Sequence, residues 1–161
     1  MLLTLFKCIC VGTRYWKERT PEVAALIRPM FTLDFTRKQY VFGAQDETKI
    51  SPDNWIIDYY FLQQVGKDRI QLDLFYDYQT NLKLYPEWHE VFRKHQFPTL
   101  IVWGKNDFLF SPQGATAFKK DLPHAKLHFF DGAHFVLEEY LVPIANYIIK
   151  FVEEVTKHKH Y

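Results

Sequence analysis

Apolar positions recur mostly three and four apart along the first part of the chain, and gather into short unbroken runs only towards the carboxyl end. The first pattern predicts amphipathic helices and the second predicts buried strands. Thr20-Pro21-Glu22 is a helix start, a capping hydroxyl followed by proline where no N–H is needed. That helix runs through Ala24, Ala25, Leu26 and Ile27, and Pro29 limits it. A second helix is predicted over 33–42, stopped by Gly43. Ser51-Pro52-Asp53 repeats the start signal, and Trp55, Ile56, Tyr59, Tyr60 and Leu62 then recur at helical spacing as far as Gly66. Residues 70–78 satisfy both periods. Ile70, Leu72, Leu74, Tyr76 and Tyr78 alternate as a strand would, while Ile70, Leu74 and Tyr78 also share a helical face.

Tyr85-Pro86-Glu87 opens another predicted helix, with an apolar stripe of Trp88, Val91, Phe92 and His95. From Pro98 to Phe135 the character changes. An apolar strand is predicted over 99–103, then a turn carrying Asp107, then a helix capped by Ser111-Pro112 whose Ala115, Phe118 and Leu122 face inward. Pro123 closes that helix before a second strand over 126–130 and a tight turn ending in His134. Two apolar strands joined through a helix suit a parallel sheet buried on both faces. Residues 136–140 read as a short helical turn, and Pro143 opens a last helix made amphipathic by Ile144, Tyr147, Ile148, Phe151 and Val152. The polar tail from Thr156 is expected to fray.

Composition narrows the class. The 161 residues, 48% hydrophobic and 24% charged, suffice for one globular domain with a real core. The net charge is +1 with both signs interspersed, which offers no field to gather nucleic acid or an anionic membrane, and neither partner is expected. The aromatic share of 18% fits a ring-lined pocket or lid as well as a core. Cys8 and Cys10 have no second pair to complete a zinc site and stand too close to bridge each other, so a reduced state and a cytoplasmic location are expected. The apolar opening lacks the basic start and cleavage site of a signal peptide and is too short to span a bilayer; a strand remnant, or an arbitrary start upstream of the recognisable sequence, is the expected account. His124 and His128, and His158 and His160 near the end, come without the ligand set of a closed metal site, so no metal and no cofactor is expected.

The chemistry gathers at Asp107 and His134. Each follows a predicted strand, and in a parallel sheet working residues collect just beyond the carboxyl ends of the strands. An acid and an imidazole at one rim can hydrogen-bond, the acid fixing one tautomer and leaving the other ring nitrogen to accept a proton from a nucleophile or water. The alternatives are an Asp that only shapes a turn and a His that is only a loop residue. The segments WGKND, DLPHAKLHFF and DGAHF, followed by a final helix, resemble the α/β-hydrolase family, in which acid then His is the chain order. The sequence is most similar to the branch containing epoxide hydrolases and haloalkane dehalogenases. That resemblance implies an α/β fold class: the carboxyl-terminal part of a hydrolase sheet, two parallel strands with flanking helices, preceded by a helical cap. The cap region with an amino-terminal remnant would occupy 1–84 and the core portion 85–161, and residues 70–78 would be helical.

The resemblance further implies a small apolar substrate (an epoxide, haloalkane or ester) held between cap and sheet, with His134 and Asp107 catalytic. Tyr76, Tyr78, Tyr85 and Phe108 are the substrate-contact candidates by region; packing is the alternative for these rings. Glu138 and Glu139 could support His134 or simply complement a helix dipole. What is missing matters as much. The six glycines stand at 12, 43, 66, 104, 114 and 132, so no Gly-x-nucleophile-x-Gly turn exists, nor any His-Gly pair for an oxyanion loop. The chain alone is therefore expected to turn over little or nothing, and two strands without the rest of a sheet should leave an edge and an apolar face needing cover by a complementary amino-terminal half or by self-association. The competing expectation is a non-catalytic, cap-derived ligand- or protein-binding module, or a truncated gene product.

Overall fold

The structure, a computed structural model, describes residues 12–157. Cys8 and Cys10, the strand remnant expected at the start, and His158 and His160 lie outside the described residues. The described residues form two compact units, one from residues 12–39 with 51–86 and the other from 40–50 with 87–157.

The first unit is helical. The helix α1 covers residues 12–17 in its described part, and α2 (Pro21–Ile27) follows, with the Thr20 hydroxyl accepting from the Val23 N–H at 3.4 Å. A single 3-10 turn (Arg28–Phe31) leads to α3 (Leu33–Val41), and Ser51 caps α4 (Pro52–Leu62). The ambiguous stretch is helix, α5 (Lys67–Asp77), entered from Gly66 in the left-handed region at φ 79°. Its Leu72 is buried with Tyr15, Val23, Ala24 and Ile27, and Phe75 and Tyr76 pack against that cluster. Burial against α2 thus decided between the two periods. The Trp16 indole N–H donates to the Phe75 carbonyl at 2.8 Å, and Arg19 pairs with Asp73.

The next helix corrects an expectation. Pro86 does not open it but lies inside α6 (Gln79–His95), which begins well before the Tyr85-Pro86 signal. A mid-helix proline leaves the carbonyl four residues earlier without its N–H. Residues 82 and 86 are both exposed, so water can take that role. Gln96, at φ 46°, ends α6, its side-chain amide donating to the carbonyls of Phe92, Arg93 and Asp121.

In the second unit β1 (Leu100–Gly104) and β2 (Lys126–Phe130) pair in parallel, Leu100 opposite Lys126 and Gly104 opposite Phe130. Between them run α7 (Pro112–Ala117) and a 3-10 turn (Phe118–Lys120). Ala115 and Leu122 face inward as expected, but Phe118 remains 39% exposed, because α7 has ended one residue before it. After β2 come α8 (Val136–Glu139) and α9 (Leu141–Lys157), the latter carrying Pro143 in its first turn. Thr156 is helical rather than frayed, its hydroxyl bonded to the Val152 carbonyl at 2.9 Å.

The sheet is not buried on both faces. Apart from Gly104 no residue of either strand is buried, since only two strands pair among the described residues. A groove of about 370 Å³ is lined by all of residues 99–103 together with Phe92, Phe97, Phe118 and Leu122. Consecutive residues point to opposite faces, so a groove touching all of them follows the edge of β1. Exposed Ile148, Ile149 and Val152 on α9 show the same shortage of cover.

Candidate active site

The parallel register sets the rim at Gly104 and Phe130, and the chain leaves both strands there together. The two departing loops are tied at once: Lys105 N–H donates to the Phe130 carbonyl at 2.8 Å and Asn106 N–H to the Gly132 carbonyl at 3.0 Å. Such closeness needs glycine. A Cβ on Gly104 would lie 2.1 Å from the Ala133 carbonyl oxygen, and one on Gly132 2.7 Å from a Glu139 carboxylate oxygen. Gly43, at φ 94°, meets the same loop from another side, and the Asn106 side-chain amide donates to its carbonyl and to Asp131, each at 3.0 Å.

On this frame Asp107 and His134 meet. His134 Nδ1 lies 2.9 Å from Asp107 Oδ2, and the side chains are 19% and 5% exposed. The other carboxylate oxygen of Asp107 accepts from the Leu109 and Phe110 N–H groups at 2.9 and 2.8 Å. The expected turn role and the pairing with His134 are therefore filled by the same carboxylate, one oxygen each. Trp103 holds the turn from behind, its indole N–H donating to the Phe110 carbonyl at 3.1 Å. The His134 ring sits between Phe110 and Phe135, with centroids 5.3 and 4.9 Å away, and Phe135 stacks on Tyr40 at 4.0 Å.

The chemistry follows from valence. An ionised Asp107 only accepts, so Nδ1 carries the ring proton and Nε2 presents a lone pair. Among the described residues nothing hydrogen-bonds Nε2. The arrangement can hold a neutral imidazole in one tautomer, accept a proton at Nε2, and balance the resulting charge with a carboxylate already in place.

Glu139 braces the histidine loop. Its two carboxylate oxygens accept from Gln45 N–H at 2.8 Å and Ala133 N–H at 2.9 Å. Glu138, its neighbour, lies exposed. Asn106, Gly43 and Gln45 had no reading as site residues; their partners lie up to 94 positions away in sequence, and only the Asn106-Asp107 turn hinted at them.

The other candidates make contacts of their own. Phe108 follows Asp107 and packs edge-on against Phe42 at 5.1 Å. Tyr76 packs against the helical core, with the Arg19 guanidinium 4.4 Å over its ring. Tyr78 and Tyr85 share a hydroxyl–hydroxyl hydrogen bond of 2.7 Å, which raises the Tyr85 phenol above its ordinary range. Among the described residues no group of three or more His, Cys, Asp or Glu could hold a metal, and no helix is long and apolar enough to cross a membrane.

Comparison with known proteins identifies the family. The chain is 40% identical over 116 residues to an uncharacterized hydrolase of Saccharomyces cerevisiae, a match covering 72% of this chain and 40% of that protein. It is 36% identical over 58 residues to the cis-3-alkyl-4-alkyloxetan-2-one decarboxylase of Shewanella oneidensis, covering 35% of this chain and 18% of that one. The chain therefore spans well under half the length of either relative. No solved structure matches it. Residues 38–140, which include Asp107 and His134, match the model of the alpha/beta hydrolase fold, and the chain belongs to that family.

Proposed function

We propose that this chain is the acid- and histidine-bearing part of a hydrolase acting on a small apolar electrophile, an epoxide, haloalkane or ester. His134 is its general base and Asp107 the acid that orients it. One observation carries the reading: the 2.9 Å contact between His134 Nδ1 and a carboxylate that two backbone N–H groups hold in place. In the mechanism a nucleophile absent from this sequence, a carboxylate for an epoxide or haloalkane and a serine for an ester, attacks carbon and forms an ester as the epoxide ring opens or the halide or alcohol leaves. His134 then takes a proton from water through Nε2, the water attacks the ester, and Asp107 stabilises the imidazolium. The decarboxylase relative is named for a four-membered cyclic ester, which supports a compact, strained or ester-like substrate. A cytoplasmic setting belongs to the same proposal.

The missing nucleophile makes a complementary amino-terminal half the proposed partner. The groove along β1 supports this, because an open strand edge offers unpaired backbone groups to a further strand. The test mixes the full chain with the amino-terminal segment of the yeast relative, ending where the matched portion begins, and assays an epoxide, a haloalkane and a short ester. Turnover by the mixture, none by either part, and loss with His134→Ala is the expected result. Turnover by the chain alone sinks the missing-nucleophile reading. An inactive mixture, with apolar ligand binding that survives His134→Ala, replaces the enzyme with a binding module.

A further inference from the structure

At the opposite end of β2 from His134, the face of the sheet under α9 holds a second depression, of about 220 Å³, lined by Leu100, Lys126, His128, Tyr147, Lys150, Phe151 and Glu154. It touches none of the residues of the proposed active site. We propose that it is a binding site for a small aromatic carboxylate.

His128 carries the argument. It sits in the middle of β2, opposite Val102, half-buried and packed against Tyr147, the two rings tilted by 32° with centroids 3.9 Å apart. Among the described residues its ring nitrogens take part in no hydrogen bond. Its nitrogens are not sealed from solvent, so they can offer a donor or an acceptor to a ligand in the depression. The charges choose the ligand's sign. Lys126 is paired with Glu154, whereas Lys150 has no ion-pair partner among the described residues. One positive charge is therefore left over beside the imidazole.

The remaining walls choose its body. Leu100, Phe151 and the Tyr147 ring are apolar or flat, and the volume lies below the range of drug-sized pockets, about 300–1,000 Å³. A single ring bearing one carboxylate satisfies all three constraints: the ring against Tyr147 and Phe151, the carboxylate on the Lys150 ammonium and a His128 N–H. Inorganic phosphate has no apolar body to fill the site, and a neutral aromatic leaves Lys150 unanswered.

Ligand-observed NMR on the full chain, with benzoate, benzamide and inorganic phosphate as probes, tests this. Saturable benzoate binding is expected, at least about tenfold tighter than benzamide or phosphate. Lys150→Ala, a change at an exposed position, should weaken benzoate about tenfold, Lys150→Arg should restore it, and His134→Ala should leave it untouched. Equal binding of benzoate and benzamide, indifference to Lys150→Ala, or no saturable benzoate binding overturns the proposal and leaves a water-filled gap under α9.

Discussion

Among the described residues the second unit contains two Asp–His pairs, and they differ in shelter and in the company their carboxylates keep. His134 and Asp107 lie at the carboxyl rim of the strands, 19% and 5% exposed, with the carboxylate held by two backbone N–H groups and no other cation. His89 and Asp121 link α6 to the segment before β2. There the ring is 51% exposed, and Arg93 donates to the second carboxylate oxygen at 2.6 Å. The guanidinium already neutralises Asp121, so a proton gained by His89 meets a charge that is already balanced. At Asp107 an imidazolium at His134 would be the only counter-charge among the described residues, and the ring packs against Phe110 and Phe135. An acid beside a histidine is thus common material; what distinguishes a base is an acid with no other cation, a sheltered ring and a free second nitrogen.

The sharpest way to break this distinction is to neutralise each acid in turn. In a hydrolase completed with its nucleophile, Asp107→Asn should present the wrong hydrogen-bonding partner to Nδ1 and lower kcat by about 10⁴-fold, the scale known for a triad acid. Asp121→Asn should leave kcat unchanged while lowering stability. Steady-state kinetics on both variants read the contrast, and equal losses would erase it.

A second, structural test removes the frame. Gly104→Ala would drive a Cβ to 2.1 Å from the Ala133 carbonyl oxygen, and backbone on both sides leaves no flexible side chain to yield. The expected cost is about 3 kcal/mol in urea unfolding, at the upper end of overpacking. The His134 ring should also lose its contact with Asp107, visible as a changed imidazole NMR signal. An alanine at Gly114, where nothing lies within 4 Å, should do neither.

These two pairs also mark how far the sequence could be read. Asp107 and His134 were legible because each follows an apolar run, and two such runs joined by a helix pair in parallel and end at one rim. The Asp121 cluster was not, since His89 and Arg93 read as the polar side of an amphipathic helix and their partner lies 28 to 32 positions on. The same limit hid Gln45, 94 positions from its partner, although Glu139 itself was readable as a support beside His134. Local signals misled where context prevailed, as at Pro86, which imitates a helix start yet is tolerated inside α6 where solvent can answer the freed carbonyl. Phe118 has inward spacing only if α7 continues, and it does not. The strands stay uncovered because burial on both faces needs neighbours the described residues do not supply, which is the open edge and apolar face expected of two strands without the rest of a sheet.

Acid separates the pairs by a gentler route. The hydrogen bond to His89, and after it the one from Arg93, holds the Asp121 carboxyl below its ordinary range. A carboxyl depressed in the folded state contributes stability that is complete above its unfolded value, about pH 4, and is lost as pH falls through the folded value. Asp121→Asn should therefore flatten the acid limb of a stability-against-pH curve measured by urea melts, with most of its cost seen at neutral pH and little at the acid end. A variant as steep in acid as the parent would show that the depression has no energetic consequence.

The smallest effect expected comes from the same cluster. His89→Ala removes a half-exposed ring, but Arg93 still pairs with Asp121, and Gln96 still donates to its carbonyl at 2.8 Å. The loss should be about 0.5 kcal/mol, the scale of a solvent-exposed pair, and should shrink in high salt. His134→Ala, by contrast, should cost activity outright, because no second cation stands behind that ring to take its place against Asp107. If His89→Ala instead destabilised the fold by several times that amount, the ring would be the main support of Asp121. The guanidinium would then not be the balancing charge, and the physical difference drawn between the two pairs would disappear.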